Sequence, residues 1–340
     1  MGCSYTITTK DGVAFEAVRG DSVMQAALRS GIGFPYGCSS GSCGSCKFEL
    51  IEGEVKDSKI SLETLSKRDL SKNRHLGCQS FPLGPIQISV RTQQEYIPKY
   101  KPEKHDAVLV ERTAITHDMS ELMFVTDGQV KFLSGQYALL SIPGRKETRA
   151  YSMSNISNNN GQWQFHIKLV KDGELSNYLL NVLSIGNKVN IDGPFGHAYV
   201  RTDNSRDIVC VAGGSGLGPM LSIVRHLSNE SFAKLKKINF FFGSRRPEEL
   251  VCNRFLEPLA ENFGELNIYN SVSESSKKII GNWSGSVGYI HELVDEVLNK
   301  RAPEFEFYAA GPPAMNDALV RLLQLKRKVP FEQIHYDSFF

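Results

Sequence analysis

Four cysteines constrain this 340-residue chain more than any other feature of its sequence. Cys38, Cys43 and Cys46 are separated by four and then by two residues, and Cys78 follows at a distance. This spacing is typical of four thiolates that bind a [2Fe–2S] cluster. Three sulfurs that converge from one loop require sharp backbone turns, and the glycines of this loop permit them. The sequence therefore predicts that these four residues hold such a cluster and that the chain carries electrons.

A zinc site is the alternative for the same cysteines. Zinc loops usually contain paired Cys-x2-Cys hooks, and here only Cys43 and Cys46 have that spacing. Four serines lie between the cysteines, and such small residues let backbone N–H groups approach the sulfurs and stabilise added negative charge. We therefore expect iron in preference to zinc.

Composition and charge set the outer limits on function. No hydrophobic run is long enough to cross a membrane, so we expect a soluble chain of two or three domains. The first residues lack a basic stretch followed by an apolar core, and the cysteine count of seven is odd. Both observations favour a cytoplasmic protein without disulfides. The net charge of +2 gives no indication of a nucleic-acid surface.

Changes of composition along the chain predict three domains. Residues 1–95 alternate between short strands and one helix near 22–30, as in a small α+β unit, and residues 96–106 form a proline- and lysine-containing linker. Short strands dominate residues 107–203 and indicate an antiparallel β-barrel. Apolar strands alternate with helices in residues 204–340, which favours an α/β domain with a parallel sheet.

The second motif, Arg-Ala-Tyr-Ser at Arg149–Ser152, is predicted to lie on a barrel strand. It offers a guanidinium for a phosphate, an aromatic ring for a flat heterocycle and a hydroxyl for a ring nitrogen. These groups match the needs of a flavin. Farther along, Gly173 and Ser176 open a predicted helix near 174–183, where a pyrophosphate can meet the positive helix end.

The third motif is a glycine-rich turn, Gly213–Leu217, placed directly after a predicted strand and before a helix. Its glycines let backbone N–H groups surround a pyrophosphate, although the spacing differs from the Rossmann Gly-x-Gly-x-x-Gly pattern. A second turn, Gly311-Pro312, follows the strand 306–310. Open α/β sheets bind ligands at the carboxyl ends of their strands, so the two turns predict a dinucleotide site.

Taken in order, the cysteine loop, Arg-Ala-Tyr-Ser, Gly-Gly-Ser-Gly, Gly-Pro-Pro and the terminal Asp-Ser-Phe-Phe resemble the reductase components of bacterial multicomponent oxygenases. The resemblance covers essentially the whole chain and is most evident for reductases that serve toluene monooxygenases and carbazole-type dioxygenases. It implies a plant-type β-grasp ferredoxin domain, an FAD-binding β-barrel and an NAD-binding α/β domain. It also implies electron transfer from NADH through FAD and the [2Fe–2S] cluster to a Rieske-type ferredoxin or oxygenase component in aromatic-hydrocarbon oxidation. We expect a monomer.

The resemblance also assigns residues to the cofactors. The implied FAD contacts are Arg149, Ala150, Tyr151, Ser152, His166, Ile167, Lys168, Gly173, Leu175 and Ser176. The implied nucleotide contacts are Gly213, Gly214, Ser215, Gly216, Leu217, Ser244, Arg245, Ala310, Gly311, Pro312 and Met315. Ser152 is predicted to lie beside the flavin nitrogen that takes the hydride, and Phe340 to shield the flavin until the nicotinamide displaces it. The alternatives are that Phe340 simply packs on the barrel and that His166 is a hydrogen-bonded barrel histidine.

Nucleotide choice rests on a short stretch after the strand 239–242. Arg245 and Arg246 could clasp a 2′-phosphate, whereas Glu248 and Glu249 could bind a ribose hydroxyl and repel phosphate. NADH is expected in preference to NADPH. Ala310 departs from the family pattern, which often has cysteine before Gly-Pro, and we expect at most slower or differently tuned hydride transfer.

Two other functions compete with this interpretation. The chain could donate directly to a soluble di-iron hydroxylase, or it could be an iron–sulfur redox sensor. Residues 1–95 contain eleven Lys plus Arg and ten Asp plus Glu, so their net charge does not indicate a basic partner. The balanced charge predicts weak steering and a modest salt dependence of electron delivery.

Overall fold

The computed structural model describes residues 4–58, 63–145, 147–274, 276 and 283–337. It divides into two compact units. The first contains the chain up to Lys104 together with Asp192–Phe195, and the second contains His105–Ile191 and Gly196–Asp337. None of the helices in these ranges has the length and apolar character that a bilayer crossing requires.

A five-stranded mixed sheet is the framework of the first unit. Its strands are β1 (Ser4–Thr9), β2 (Ala14–Val18), β3 (Lys47–Glu52), β5 (Arg74–Leu76) and β7 (Ile86–Ser89), in the order β2-β1-β7-β3-β5. Strands β1 and β7 pair in parallel, and the other neighbours are antiparallel. Strands β4 (Val55–Asp57) and β6 (Ser80–Pro82) form a separate ribbon. The predicted β-grasp ferredoxin arrangement is confirmed.

Two short α-helices lie in the described residues of this unit. Helix α1 (Val23–Arg29) begins with a capping box, in which the Ser22 hydroxyl accepts the Gln25 N–H and the Gln25 side chain accepts the Ser22 N–H. Its apolar residues are buried, so the predicted helix near 22–30 is confirmed. Helix α2 (Lys67–Ser71) lies beside β5 and was not predicted, because five residues are too short for a periodic pattern.

Six antiparallel strands form the barrel. They are β8 (Glu103–Thr116), β9 (Met119–Val125), β10 (Tyr137–Ser141), β11 (Thr148–Ser152), β12 (Gln162–Lys168) and β13 (Lys188–Phe195), in the order β11-β10-β13-β8-β9-β12. A bridge between Met153 and Phe165 joins the two edges, so the barrel closes. Trp163, Phe165 and Ile167 alternate into its core, as the period of two requires. Helix α3 (Glu174–Asn177) continues as a π-helix through Val182.

The remaining sheet is parallel throughout. Its strands are β14 (Asp207–Gly213), β15 (Lys237–Ser244), β16 (Glu265–Val272), β17 (Ser286–Val287), β18 (Phe305–Ala310) and β19 (Ile334–Tyr336), in the order β17-β16-β15-β14-β18-β19. The helices are α4 (Leu217–Ser228), α5 (Asn253–Leu256), α6 (Ile290–Leu298) and α7 (Pro313–Arg321). Successive residues of β14 enter two separate cores, Ile208 on one face and Val209 on the other. Burial on both faces explains the continuous apolar run that predicted this parallel sheet.

The order of strands reverses beside β14. The chain proceeds from β14 to β15 and β16 on one side, and then crosses to β18 on the other side. The carboxyl ends of β14 and β18 are therefore neighbours at a topological switch point, which is where open α/β sheets bind ligands.

Candidate functional site

The four predicted ligand cysteines meet in the first unit as two pairs. Cys46 Sγ lies 3.4 Å from Cys78 Sγ. Cys38 and Cys43 face each other, because the Cys43 N–H donates to Cys38 Sγ at 3.4 Å and the Cys38 N–H donates to Cys43 Sγ at 3.5 Å. In the described part of the chain, no three His, Cys, Asp or Glu side chains surround a point where one metal ion could sit. Two sulfur pairs suit a two-iron cluster with two thiolates per iron better than they suit one zinc ion.

Hydrogen bonds and charge couple these sulfurs. The bond with Cys43, together with those from Ser40 and Ser42, lowers the pKa of Cys38 to about 3. Pairing with Cys46, burial, and the charges of Cys46, Cys38 and Cys43 raise the pKa of Cys78 well above its usual value. Hydrogen bonds from the loop to Cys38 Sγ therefore stabilise negative charge on sulfur, which every thiolate ligand of a cluster needs.

Side chains outside the cysteine loop hold its backbone in place. Ser39 has a φ of +54°, in the left-handed region that most side chains avoid. Gln79 Nε2 donates to the Ser39 carbonyl at 3.3 Å, and Thr64 Oγ1 donates to the Gly41 carbonyl at 2.7 Å. Neither supporting residue was predicted from the sequence. Gln79 could have been suspected from its place directly after Cys78, but nothing in the sequence singles out Thr64.

Strand β11 presents the Arg149–Ser152 motif along four consecutive residues. The Tyr151 ring packs against the barrel core, and this burial raises the pKa of its phenol. Arg149 is half exposed, with Nη2 at 2.9 Å from Glu147 Oε1. The other carboxylate oxygen, Glu147 Oε2, is buried without a hydrogen-bond partner among the described residues. A guanidinium, a ring, the partly exposed Ser152 hydroxyl and an unsatisfied acceptor therefore lie within a few residues, a set that suits a flavin nucleotide.

Strand β12 places its three predicted flavin residues in different surroundings. Ile167 is fully buried in the barrel core. His166 Nε2 lies 3.0 Å from Glu121 Oε2, and burial lowers the pKa of this imidazole although Glu121 opposes the shift. His166 Nδ1 is buried without a partner in the part of the chain that the structure describes. The Ile167 side chain is therefore occupied by core packing, whereas the His166 ring keeps one nitrogen without a partner among the described residues.

Lys168 lies beside the glycine-rich turn of the nucleotide domain. Its Nζ is 3.2 Å from Asp118 Oδ2 and 3.9 Å from Glu249 Oε2. A Cβ added at Gly214 would lie 3.7 Å from Lys168 Cδ. A cation is thus present where an anionic nucleotide would approach the turn.

The start of helix α3 contains the second part of the predicted flavin site. The Ser176 hydroxyl donates to the Gly173 carbonyl at 3.3 Å and accepts the Val170 N–H at 3.2 Å. A Cβ at Gly173 would lie 2.7 Å from Ser176 Oγ, so this turn needs glycine. Leu175 is buried in the barrel core and anchors the turn.

The two predicted nucleotide turns touch each other. A Cβ at Gly216 would lie 1.9 Å from the Ala310 carbonyl oxygen, and one at Gly213 would lie 2.7 Å from Met315 Sδ. Glycine is therefore required for the β14 turn to approach the turn after β18. Glycine-rich turns of this kind leave backbone N–H groups open to a pyrophosphate. Ser215 lies in the same turn, Leu217 is buried at the start of α4, and Gly311 and Pro312 lead into α7.

Asn316 supports this site and was not predicted. Its Nδ2 donates to the Gly311 carbonyl at 3.4 Å, and its Oδ1 is buried without a partner among the residues described. Phe340, the predicted flavin shield, lies outside the described residues.

The turn after β15 contains the residues expected to choose the nucleotide. The Ser244 hydroxyl donates to the Arg246 carbonyl at 2.8 Å, and Arg245 is exposed. Glu249 is buried, and its Oε2 accepts the Arg245 N–H at 3.3 Å. Arg246 lies 3.9 Å from Glu248 and is exposed. The buried anion of this turn is therefore Glu249.

Comparison with protein families matches almost the whole chain in three segments. Residues 7–83 match the 2Fe-2S iron-sulfur cluster binding domain, residues 106–199 the oxidoreductase FAD-binding domain, and residues 210–321 the oxidoreductase NAD-binding domain.

Individual proteins match over most of their length. The chain is 40% identical over 325 residues to the ferredoxin–NAD(P)(+) reductase CarAd of Metapseudomonas resinovorans, which covers 94% of this chain and 95% of that protein. It is 31% identical over 318 residues to the xylene/toluene monooxygenase electron transfer component XylA of Pseudomonas putida, covering 92% and 88%. The solved structure of the ferredoxin reductase in carbazole 1,9a-dioxygenase aligns with a TM-score of 0.90 and 36% identity, covering 100% of this chain and 99% of that one.

The matched domains agree with the geometry described above: sulfur pairs in the first unit, a barrel with the Arg-Ala-Tyr-Ser strand, and two glycine turns at a switch point. Electrons in such a chain pass from NAD(P)H through FAD to the [2Fe–2S] cluster. The chain belongs to the flavin- and iron–sulfur-dependent ferredoxin–NAD(P)+ reductases that serve as reductase components of oxygenase systems.

Proposed function

We propose that this chain oxidises NADH and delivers single electrons from the Cys38–Cys46 loop to a Rieske-type ferredoxin or an oxygenase component in aromatic-hydrocarbon oxidation. The observation that carries the proposal is the two sulfur pairs, Cys38 with Cys43 and Cys46 with Cys78, in one chain with the flavin strand and the nucleotide turns. The names of the relatives at 40% and 31% identity support the two kinds of acceptor.

One group of residues would bind FAD, and a second group would bind the nicotinamide nucleotide. Arg149 would neutralise a flavin phosphate, Tyr151 would lie on the flavin ring, and the Ser152 hydroxyl would hydrogen-bond the nitrogen that receives the hydride. The turns Gly213–Leu217 and Gly311–Pro312 would orient the nicotinamide nucleotide, with Lys168 beside its phosphates. NADH gives up two electrons together and a [2Fe–2S] centre takes one, and bound FAD supplies the conversion. The protein contributes binding and orientation, so no acid–base side chain is required.

The sulfur pairs also suggest how iron is held. Cys38 and Cys43 would bind one iron, and Cys46 and Cys78 the other. The Ser42 hydroxyl, 3.5 Å from Cys38 Sγ, and the two loop N–H donors would stabilise the charge of the added electron. All six cysteines in the described ranges are free thiols, which supports a reducing, cytoplasmic location. We also propose a monomer.

Metal analysis and spectroscopy of the anaerobically purified protein test this function. We expect about two irons and one FAD per chain, visible absorbance from both groups, rapid bleaching by NADH and reduction of cytochrome c. Zinc in place of iron would overturn the proposal. Slow bleaching with little acceptor reduction would instead support the redox-sensor alternative, and stimulation by a di-iron hydroxylase without any ferredoxin would support direct donation.

A further inference from the structure

A strongly basic surface lies beside the cysteine loop. Six cations define it. Lys47, Arg74 and Arg91 line one groove, and Lys67, Arg68 and Lys72 lie on or directly after helix α2, whose Asp69 bonds two of the groove cations. Lys67 and Arg68 on helix α2, Lys72 directly after it, and Arg91 after β7 are all exposed. Residues 1–95 contain eleven Lys plus Arg in total, so these six are more than half of the cations in this region.

A groove runs through the basic surface. It is a cavity of about 340 Å³ lined by Lys47, Phe48, Glu49, Arg74, Ser89, Val90 and Arg91. Asp69 of helix α2 joins the helix to the groove, because its carboxylate lies 2.9 Å from Lys47 Nζ and 3.3 Å from Arg74 Nη1. Asp69 is buried, so Glu49 is the acidic side chain that the groove itself presents.

The groove begins next to the predicted cluster ligands. Lys47 directly follows Cys46 and pairs across the sheet with Leu76, two residues before Cys78. A strand rises about 3.3 Å per residue, so Glu49 lies roughly 10 Å along β3 from Cys46. A protein seated on the groove would therefore be close to the sulfur pair of Cys46 and Cys78.

We infer that the basic surface is the docking site for an electron-acceptor protein that presents an acidic face. This inference rests on the proposed function, because it assumes that electrons leave from the cysteine loop. Charge complementarity identifies the partner. Four of the six cations are exposed, whereas Lys47 and Arg74 share the buried carboxylate of Asp69. An acidic face would neutralise the four exposed cations. Leu70, 48% exposed on α2 between the cations, offers an apolar contact within the charged surface.

The balanced charge of residues 1–95 conceals this asymmetry. Steering depends on the local potential near the docking site, since charges farther away than about 8–10 Å are screened at moderate salt. The basic surface therefore predicts that delivery to an acidic acceptor slows several-fold between low and physiological salt, more than net charge alone suggests.

The test uses the full-length holoprotein and two triple variants with the same net charge. Lys67→Gln/Arg68→Gln/Lys72→Gln removes three charges beside the groove and spares Lys47 and Arg74, which hold Asp69. Lys10→Gln/Arg19→Gln/Lys56→Gln removes three exposed charges elsewhere, two of them next to β1 and β2 at the other end of the sheet. Steady-state reduction of an acidic [2Fe–2S] ferredoxin as the probe is measured against salt, with ferricyanide and basic cytochrome c as comparison acceptors.

We expect the variant beside the groove to lose about fivefold or more in kcat/KM for the acidic ferredoxin, with a flatter salt dependence. The distant variant should stay within about twofold of wild type. The charge reversal Lys67→Glu/Arg68→Glu/Lys72→Glu should accelerate cytochrome c reduction. Equal losses in both triple variants, or no loss in either, would overturn the docking site. If even ferricyanide reduction by NADH is absent in the wild type, the proposed function fails instead.

Discussion

At the scale of single residues, the chemistry of this chain depends on where a side chain lies more than on what it is. Ser152 and Thr148 both carry a hydroxyl on strand β11, yet Ser152 is partly buried at the end of the strand and Thr148 is exposed. His197 and His117 differ in the same way, because His197 is enclosed while His117 is 61% exposed. Burial therefore separates residues of the same type into enclosed and solvated ones.

Replacing Ser152 by Ala should slow NADH oxidation with ferricyanide as acceptor by about tenfold, with FAD still bound. The reason is that orientation at the hydride-accepting nitrogen is lost while the other flavin contacts stay. Stopped-flow reduction of the flavin by NADH measures this step directly. Thr148→Val, which removes a hydroxyl from the same face of β11, is the control and should react at the wild-type rate. Equal rates in Ser152→Ala and wild type would remove Ser152 from the hydride site.

The stability of the second unit should fall on acidification because of His197. Burial, with a further contribution from Arg201, lowers the pKa of its imidazole from 6.5 to about 4. The unfolded chain binds this proton below about pH 6.5, whereas the folded chain binds it only near pH 4. The free energy of unfolding therefore falls by up to about 3 kcal/mol as the pH falls through that range. Above pH 6.5 the imidazole is neutral in both states, so His197 adds no pH dependence to the stability there.

Thermal unfolding at pH 7 and pH 5 checks this prediction. The drop in Tm should be smaller in His197→Gln than in wild type, and His117→Gln should behave as wild type does. A drop in His197→Gln as large as in the wild type would show that other groups cause the acid sensitivity.

At the scale of elements, we expect the turn after β15 and the short 3-10 helix Pro247–Glu249 to decide which nucleotide binds. Glu249 is held there by the Arg245 N–H and faces Lys168, so its charge is fixed in position. Arg246 lies near Glu248 and Glu274, at 3.9 Å and 3.8 Å, which weakens its attraction for a 2′-phosphate. We therefore expect this arrangement to favour NADH.

Glu249→Gln should raise kcat/KM for NADPH relative to NADH by about fivefold. Repulsion between a carboxylate and a phosphate near solvent is worth about 1 kcal/mol, which corresponds to that factor. Initial rates with each nucleotide measure the ratio, and the exposed Glu248→Gln should change it less. A wild-type enzyme that already prefers NADPH would show that the two arginines dominate this turn.

At the scale of the whole molecule, each unit holds one half of the redox chemistry. The first unit holds the cysteine loop, and the second holds the flavin strand and the nucleotide turns. Small oxidants can take electrons from the flavin, whereas protein acceptors are expected to depend on the iron–sulfur cluster. The two activities should therefore separate when one unit is altered.

Cys46→Ser should abolish most of the iron–sulfur absorbance and lower cytochrome c reduction by about tenfold or more, because one ligand of the Cys46 and Cys78 pair is lost. Ferricyanide reduction by NADH should stay within about twofold of wild type, since it needs only the second unit. Cys252→Ser is the matched control, because Cys252 is equally buried but bonds Asn270 at 3.2 Å, away from the loop. Undiminished cytochrome c reduction in Cys46→Ser would contradict the assignment of the cluster.

The sequence by itself determined the cofactor set and the three kinds of fold. Cysteine spacing, strand alternation and the runs of buried β residues are local patterns, and each is imposed by short-range geometry that the residues themselves encode. Gly213 and Gly216 could likewise be identified because their turns directly follow strands. The boundaries drawn at residues 95, 106 and 203 stay predictions.

Only the tertiary structure decided which distant residues support those motifs. Gln79 and Thr64 reach the cysteine loop, Asn316 reaches the Gly311 carbonyl, and the basic surface gathers cations from three segments of the chain. No spacing in the sequence predicts these contacts, because they join side chains that are far apart in sequence and meet only through strand pairing and helix packing. The same reason explains why a chain with nearly balanced charge can still present a strongly basic face: sequence counts charges, whereas the fold decides where they lie.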